Sequence, residues 1–250
     1  MQDNIAIVTG TSSGIGAAVA GQLLQKGWQV VGIARRGCVL RDPNFRQIAQ
    51  DLSDVGDAVR TIEREVEPLF HERDWARIGV VNNAATTGEL GPMERLAPRE
   101  LQRLYALNLV LPMWLMGFAV RHAKPRSALR IVNVSSAAAV MPFPGLAAYG
   151  GSKAALRMAG MILGQELDST ERPTPAPADC AVLSYEPGVV DTEMQTAARS
   201  HSPQNFPWVG MFVNFKRQGM LVRASLPAAD IVQFLESEHP PRFSEVRRGV

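Results

Sequence analysis

Tyr149 and Lys153 stand four apart in a stretch of helical character, so they share one helix face about a turn apart. Ser136 lies thirteen residues upstream, at the exit of an apolar run. A phenol, an ammonium and a hydroxyl in this order suit carbonyl reduction. Hydride arriving at a C=O leaves alkoxide character on oxygen, which requires a proton donor held close. A free phenol has a pKa of about 10, too weak an acid for fast delivery near neutrality. A neighbouring ammonium stabilises phenolate and lowers that value. Tyr149 is thus the expected donor, Lys153 its modulator and a contact to a nicotinamide ribose, and Ser136 the group that orients the substrate oxygen. A Tyr-x-x-x-Lys pair alone means little. The upstream serine and a glycine turn give it weight.

That turn is Thr9-Gly10-Thr11-Ser12-Ser13-Gly14-Ile15-Gly16, joining a first strand to a first helix. A phosphate-binding turn needs glycine where backbone bends sharply, approaches a ligand, or meets a helix. The helix N-terminus then offers unpaired N–H groups to a pyrophosphate. The spacing is not GxGxxG, and the Lys-Ser/Thr of a P-loop is missing. Arg35 and Arg36 follow the second strand, where an NAD site usually places a carboxylate; Ala34 stands near that point instead. A guanidinium can bind a 2′-phosphate bidentately, so NADP(H) is the expected cofactor and Arg35 its main contact. The alternative is a solvated arginine pair. Asp51, with Leu52 beside it, follows the third strand and is placed to accept from the adenine amino group.

The elements that must position these groups alternate along the chain. Ile5–Val8, Trp28–Ala34, Phe45–Gln50, Ile78–Val81, Leu129–Val134 and Cys180–Tyr185 read as strands. Between them, Ala17–Lys26, the recurrence Val55, Val59, Ile62, Val66, Leu69, a long helix from Pro98 to about His122, and Tyr149–Leu167 read as helices. Gly27 is placed to cap the first of these. Such alternation implies βαβ units with right-handed crossovers: an α/β, Rossmann-like doubly wound parallel sheet with helices on both faces, in one domain spanning residues 1–250. Its ligand crevice lies beyond the C-terminal strand ends, where all three chemical groups can meet. The Pro-rich connector Arg172–Pro177 is too short to divide domains.

Residues 191–224 break the rhythm, with Met194, Phe206, Trp208, Met211 and Phe212 among Ser, Pro, Asn and Gly. Two readings stand equally: a binding loop or lid, and a pair of short helices packed on the core. The apolar side chains suit an apolar pocket. Leu156, Met158, Met161, Ile162 and Leu163 spread around the Tyr149–Leu167 helix, and a helix apolar on most sides is buried on most sides, here in the core or against a second copy.

Composition narrows the class. The chain has 250 residues and a formal charge of +2, with 46% hydrophobic and 20% charged residues, enough to bury a large core. Balanced charge argues against a nucleic-acid binder. Cys38 and Cys180 are too few for a disulfide scaffold and lack metal-ligand spacing, so inert thiols and no metal are expected. No run approaches the roughly 20 uninterrupted apolar residues of a membrane span, and Met1–Gly10 reads as a strand, not a signal peptide. A cytoplasmic protein without membrane contact is the expectation.

With Asn82-Asn83-Ala84, Asn108 and Pro187-Gly188 falling in order beside these motifs, the sequence resembles the short-chain dehydrogenase/reductase family over almost its whole length. The resemblance implies a catalytic tetrad of Asn108, Ser136, Tyr149 and Lys153, with Asn108 holding a water that links Lys153 to solvent. It also implies cofactor contacts from Asn83 and Ala84, with Pro187, Gly188 and Thr192 positioning the nicotinamide and Val190 offering backbone to the carboxamide. Homodimers or homotetramers are implied too. Two departures stand out: Ala85 where the family has glycine, and a C-terminal segment Phe243–Arg248 rich in charge, suggesting a frayed last strand. Pro187–Gln195, Arg199 and Gly219–Val222 resemble the sepiapterin/benzil reductase group, which reduces ketones and diketones with NADPH. The chain ends Arg247-Arg248-Gly249-Val250, lacking the C-terminal carboxylate that pins a pterin, so an apolar aryl or alkyl ketone is the expected small-molecule substrate. Alcohol oxidation with NADP in the reverse direction, or a non-catalytic NADP-binding sensor or scaffold, are the alternatives.

Overall fold

The computed structural model describes residues 4–169, 171–172 and 175–248. Met1, Pro173 and Thr174 of the connector, and Gly249 and Val250 of the tail lie outside them. The strands are β1 (Asn4–Thr9), β2 (Gln29–Ala34), β3 (Phe45–Ala49), β4 (Arg77–Asn82), β5 (Ala128–Val134), β6 (Cys180–Glu186) and β7 (Phe243–Arg247). All pair in parallel in the order β3-β2-β1-β4-β5-β6-β7. The order reverses between β1 and β4, which opens a ligand crevice at their C-terminal ends.

Strand β1 shows how the sheet is held between two helical layers. Ile5 and Ile7 pack into one apolar cluster with Val31, Ile33, Leu115, Phe118 and Leu156. Ala6 and Val8 pack into the opposite cluster with Val19, Leu23, Ile231 and Leu235. Both faces are buried, so a one-residue slip would exchange large and small side chains between layers. The first layer carries α2 (Val55–Glu65), α3 (Glu67–Glu72), α5 (Leu111–His122) and α6 (Ala147–Asp168), with α4 (Pro98–Tyr105) packed on α6. The second carries α1 (Gly14–Gln25) and α9 (Ser225–Leu235). The result is the expected three-layer, doubly wound α/β fold.

Three local differences from the sequence pattern have identifiable causes. The helical recurrence 55–69 splits at Val66, because Pro68 favours the start of a new helix. The 98–122 rod contains a π-helical turn at Ala106–Val110. Pro112 has no N–H, removing the donor that would bond the Asn108 carbonyl, and Leu111 N–H reaches back five residues to Ala106 instead. By length and composition alone this rod could cross a membrane; here Leu115, Phe118 and Ala119 bury it against the sheet. The third difference is β7, which is formed rather than frayed. Its charges are paired: Glu245 takes a two-pronged contact from Arg157 at 2.6 and 2.7 Å, and Arg247 lies 3.5 Å from Glu186. Phe243 packs where Gly164 leaves α6 without a side chain.

The irregular 191–224 region is a pair of short helices, α7 (Glu193–Arg199) and α8 (Val209–Arg217). With Leu90 and Leu146, they form a third, smaller apolar cluster around Phe206 and Phe212.

Candidate active site

A cavity of about 740 Å³ opens at the C-terminal strand ends, within the usual range for a small-molecule site. Gly10, Ser12, Ser13, Gly14, Ile15, Arg35, Asp51, Leu52, Asn83, Ala84, Ser136, Tyr149, Lys153, Pro187, Gly188, Val190 and Thr192 line it. Gly16 and Asn108, of the residues singled out from the sequence, do not. Both sit behind the wall.

Strand β5 delivers Ser136 two residues past its end, and the first turns of α6 deliver Tyr149 and Lys153. Ser136 Oγ accepts from Ala138 N–H at 3.2 Å and lies close enough to the Tyr149 hydroxyl to favour its ionised form. Lys153 is buried, donates to the Val134 carbonyl at 2.7 Å, and holds Nζ 5.7 Å from the Tyr149 ring centre. Burial lowers the Lys153 pKa from 10.5 to about 8. Burial also raises the Tyr149 pKa, and the nearby Ser136 side chain offsets only part of that. The expected depression by Lys153 is not present in this geometry. Its ammonium is turned to the Val134 carbonyl and is itself weakened by the same dry surroundings.

Asn108 does not reach Lys153. Its Oδ1 accepts from Thr86 N–H at 2.9 Å, while Nδ2 donates to the Thr86 carbonyl at 2.8 Å and Ser152 Oγ at 3.1 Å. The side chain is spent on bracing the loop after β4 against α6. Ser152 Oγ donates in turn to the Tyr149 carbonyl at 2.7 Å, so this chain of bonds ends beneath the tyrosine. A water relay through Asn108 would have to use its backbone, whose usual helical donor Pro112 removes.

Residues 4–203 match the family model described as short chain dehydrogenase. The chain belongs to the short-chain dehydrogenase/reductase family. Benzil reductase ((S)-benzoin forming) of Bacillus subtilis (strain 168) is 33% identical over 234 residues, covering 92% of each chain. Sepiapterin reductase of Meriones unguiculatus is 29% identical over 252 residues, covering 94% of this chain and 92% of its own. The KRED1-Pglu enzyme structure superimposes with a TM-score of 0.77 at 26% identity, over 96% of this chain and 100% of that one. The protein is an oxidoreductase of this family, working on a small molecule with a nicotinamide cofactor.

The glycine end of this short-chain dehydrogenase fits the cofactor's pyrophosphate. Gly10 and Gly14 adopt φ of +76° and +59°, conformations that L side chains rarely take. At Gly16 a Cβ would collide with the Gly10 carbonyl and lie 2.5 Å from Asn83 Nδ2, so only glycine lets α1 start this close to the turn. Thr9, unremarked as a functional residue in the sequence, stitches the turn to β4. Its Oγ1 donates to the Val81 carbonyl at 3.1 Å and accepts from Asn83 N–H at 2.9 Å and Ala84 N–H at 3.0 Å. The Asn83 amide returns a bond to the Thr9 carbonyl at 2.8 Å. Across the cavity, the Thr192 methyl lies 3.2 Å from where a Cβ on Gly14 would be, closing the two loops together.

The second-strand arginines have different duties. Arg36 is engaged with Glu193 at 2.5 Å, whereas the Arg35 side chain is 62% exposed at the cavity edge, 3.7 Å from Asp51. Burial works against the Asp51 carboxylate, but bonds from Ser53 and the charges of Arg35 and Arg103 hold its pKa below the ordinary value. Ala85 lines the cavity without strain: among the described residues, His239 alone has a positive φ without being glycine. The family's glycine freedom is therefore not needed here.

The substrate end is walled by Phe143, Leu146, Met194, Met211, Phe212 and Phe215. Of the apolar residues expected there, Phe206 is fully buried behind the wall, and Trp208 does not line the cavity. Phe143 stands in a loop outside 191–224, which left it without a sequence signal, whereas Phe215, four after Met211 and three after Phe212, had a helical spacing that could have found it. The acids at the cavity, Asp51, Glu186 and Glu193, each lie within 3.7 Å of an arginine.

Proposed function

We propose that this protein reduces an apolar aryl or alkyl ketone or diketone with NADPH. The observation that carries this reading is the placement of hydroxyl, phenol and ammonium between a phosphate cradle and an apolar wall in one cavity. Bound NADPH would supply the hydride. Ser136 orients the carbonyl oxygen, and Tyr149 delivers the proton to the oxygen as negative charge develops there. Lys153 holds the ribose and supplies the positive field, while Asn108 and Ser152 hold the tyrosine's helix turn in register. Pro187, Gly188, Val190 and Thr192 form the nicotinamide side.

Arg35 supports NADP(H) over NAD(H): it stands where a ribose-binding carboxylate would otherwise be, is 62% exposed, and is paired only loosely, at 3.7 Å, with an Asp51 that Arg103 approaches equally closely. Pairing of the cavity's acids with arginines supports an apolar ketone over an amino-bearing pterin, since no carboxylate on this wall is spare to pin an amino group. Exposed Val110 and Met113 on the rod, with Met158 and Ile162 on α6, support a homodimer or homotetramer built on these helices. A cytoplasmic location remains part of the proposal.

A diketone panel assayed by NADPH absorbance tests the reading. Tyr149→Phe is expected to lower kcat about 10²- to 10⁴-fold, and Arg35→Ala to weaken NADPH binding about tenfold or more with NADH unchanged. Wild-type turnover that survives Tyr149→Phe would overturn the catalytic assignment. Equal NADPH and NADH dissociation constants would overturn the cofactor preference.

A further inference from the structure

On the side of the molecule away from the cavity, two helices bring histidines together. Glu67 and His71 are four apart on α3 and so lie on one face. His122 is the last residue of α5. An edge-to-face contact of Phe70 with Phe118, centroids 5.5 Å apart, docks α3 against α5 and brings the three side chains into one group. Glu67 Oε1 lies 3.7 Å from His122 Nδ1, the two imidazole rings are 5.7 Å apart, and one ligand atom from each residue falls within 4.8 Å of the others. The His122 ring lies on Phe118 at 4.5 Å, which fixes its orientation. His71 is exposed, so the group opens to solvent.

We propose that Glu67, His71 and His122 form a binding site for a divalent transition-metal ion of the zinc class, one that clamps α3 to the end of α5. Two imidazoles and a carboxylate are borderline donors suited to Zn²⁺, Cu²⁺ or Ni²⁺, whereas Mg²⁺ and Ca²⁺ prefer all-oxygen shells. Ligand atoms about 2.0–2.2 Å from a tetrahedral ion stand roughly 3.3–3.6 Å from one another. The Glu67–His122 spacing of 3.7 Å is already close to that, and the remaining separations, at most 4.8 Å, close with a shift of about 1 Å, within reach of the exposed His71 side chain. The surrounding field is mixed: Glu63 adds negative potential, and Arg121 subtracts from it. Three protein ligands leave a position for water. None of the three lines the catalytic cavity, and α3 leads directly into the start of β4, the opposite end of the sheet. The ion is thus a structural clamp and plays no part in hydride transfer.

A second acid–histidine group, Asp179, Glu238 and His239, provides an internal control. Its carboxylates are already taken by guanidinium groups, Asp179 by Arg130 at 2.8 Å and Glu238 by Arg77. Titrating tag-free full-length protein with ZnCl₂ by calorimetry should show one site with a Kd of about 1 µM or tighter. Melting temperature should rise by about 5–10 °C at roughly a hundredfold excess over Kd. His71→Ala, at an exposed position that does not threaten folding, should weaken binding at least about tenfold and remove the shift. His122→Gln should do the same, His239→Asn should leave both unchanged, and MgCl₂ should give no shift. Absent zinc binding, binding retained in His71→Ala, or binding lost in His239→Asn would overturn the proposal. None of these readouts uses enzymatic turnover, so failure of the proposed reductase activity leaves the result intact.

Discussion

At its cofactor end the cavity is walled by backbone, whereas at its substrate end it is walled by the side chains of loops and two short helices. The Gly10–Gly16 turn leaves no room for a Cβ where α1 starts, and Thr9 and Asn83 tie it to β4 and its exit through five hydrogen bonds. That end is continuous with the central strands of the sheet. Phe206, Phe212 and Leu146 instead make their own small cluster, separate from both main cores. A site built this way holds a constant ligand with main-chain groups that few substitutions can retune. Its variable ligand meets side chains that can change without disturbing the sheet. Tyr149 and Lys153 stand at the junction, on a helix belonging to the rigid part.

The largest effect is expected where this contrast is sharpest. Gly16→Ala adds one carbon that meets the Gly10 carbonyl and an Asn83 amide already committed to the Thr9 carbonyl, so neither neighbour can yield cheaply. Overpacking of this kind costs about 1–3 kcal/mol, and it should move the helix N-terminus off the pyrophosphate. NADPH affinity, read by fluorescence titration, should fall about 100-fold. A change under about threefold would show that the turn is more compliant than its geometry implies.

Lys153→Met tests the junction. Holding a lysine at a pKa of about 8 instead of 10.5 costs the folded state about 3 kcal/mol wherever the group is charged in both states. Loss of the bond to the Val134 carbonyl returns about 1 kcal/mol of that. The variant should therefore be inactive and about 2 kcal/mol more stable at pH 7. The sign follows from proton counting. Between pH 8 and 10.5 the unfolded wild type binds more protons than the folded form, so wild-type stability rises through this window and the variant's advantage fades. Denaturant melts at pH 7 and 9.5 measure the difference. An advantage that grows with pH, or a variant less stable at pH 7, would contradict the buried-cation account.

Much of this architecture is legible in the sequence. The alternation of Ile5–Val8, Trp28–Ala34 and Ile78–Val81 with helical segments implies the parallel sheet, and the four-residue spacing of Tyr149 and Lys153 survives as one face of α6. These are local signals, set by residues a few positions apart. What the pattern missed is long-range or depends on a subtle local exception. Asn108 is bonded to Thr86 and Ser152, partners 22 and 44 residues away, so no window around it shows that its side chain is already spent. Pro112 was a visible signal of the π-helical turn, as a proline inside a helix must be accommodated somewhere. The charged end of β7 looked frayed because its acidic partners, Asp230 and Glu186, are remote in sequence. In 191–224 the structure takes the second of the two readings, a pair of short helices, and residues of both line the cavity.

The smallest effect should come from that wall. Met211 is partly buried, lines the cavity and packs at the edge of the Phe206 cluster, with no hydrogen-bonding role to lose from its side chain. Met211→Ala removes a flexible thioether from a partly open surface, so unfolding free energy should drop by less than about 1 kcal/mol, well below the cost in a closed core. A ketone filling the same space loses roughly one or two methylene-sized contacts, enough to raise KM about 3- to 10-fold. Such contacts are shared by bound substrate and transition state, so kcat should stay within about twofold. NADPH affinity should not move, because the cradle belongs to β1, β4 and α1 and shares no apolar cluster with α8. If NADPH affinity fell in parallel with KM, the two ends of the cavity would be mechanically coupled, and the separation drawn from their packing would be wrong.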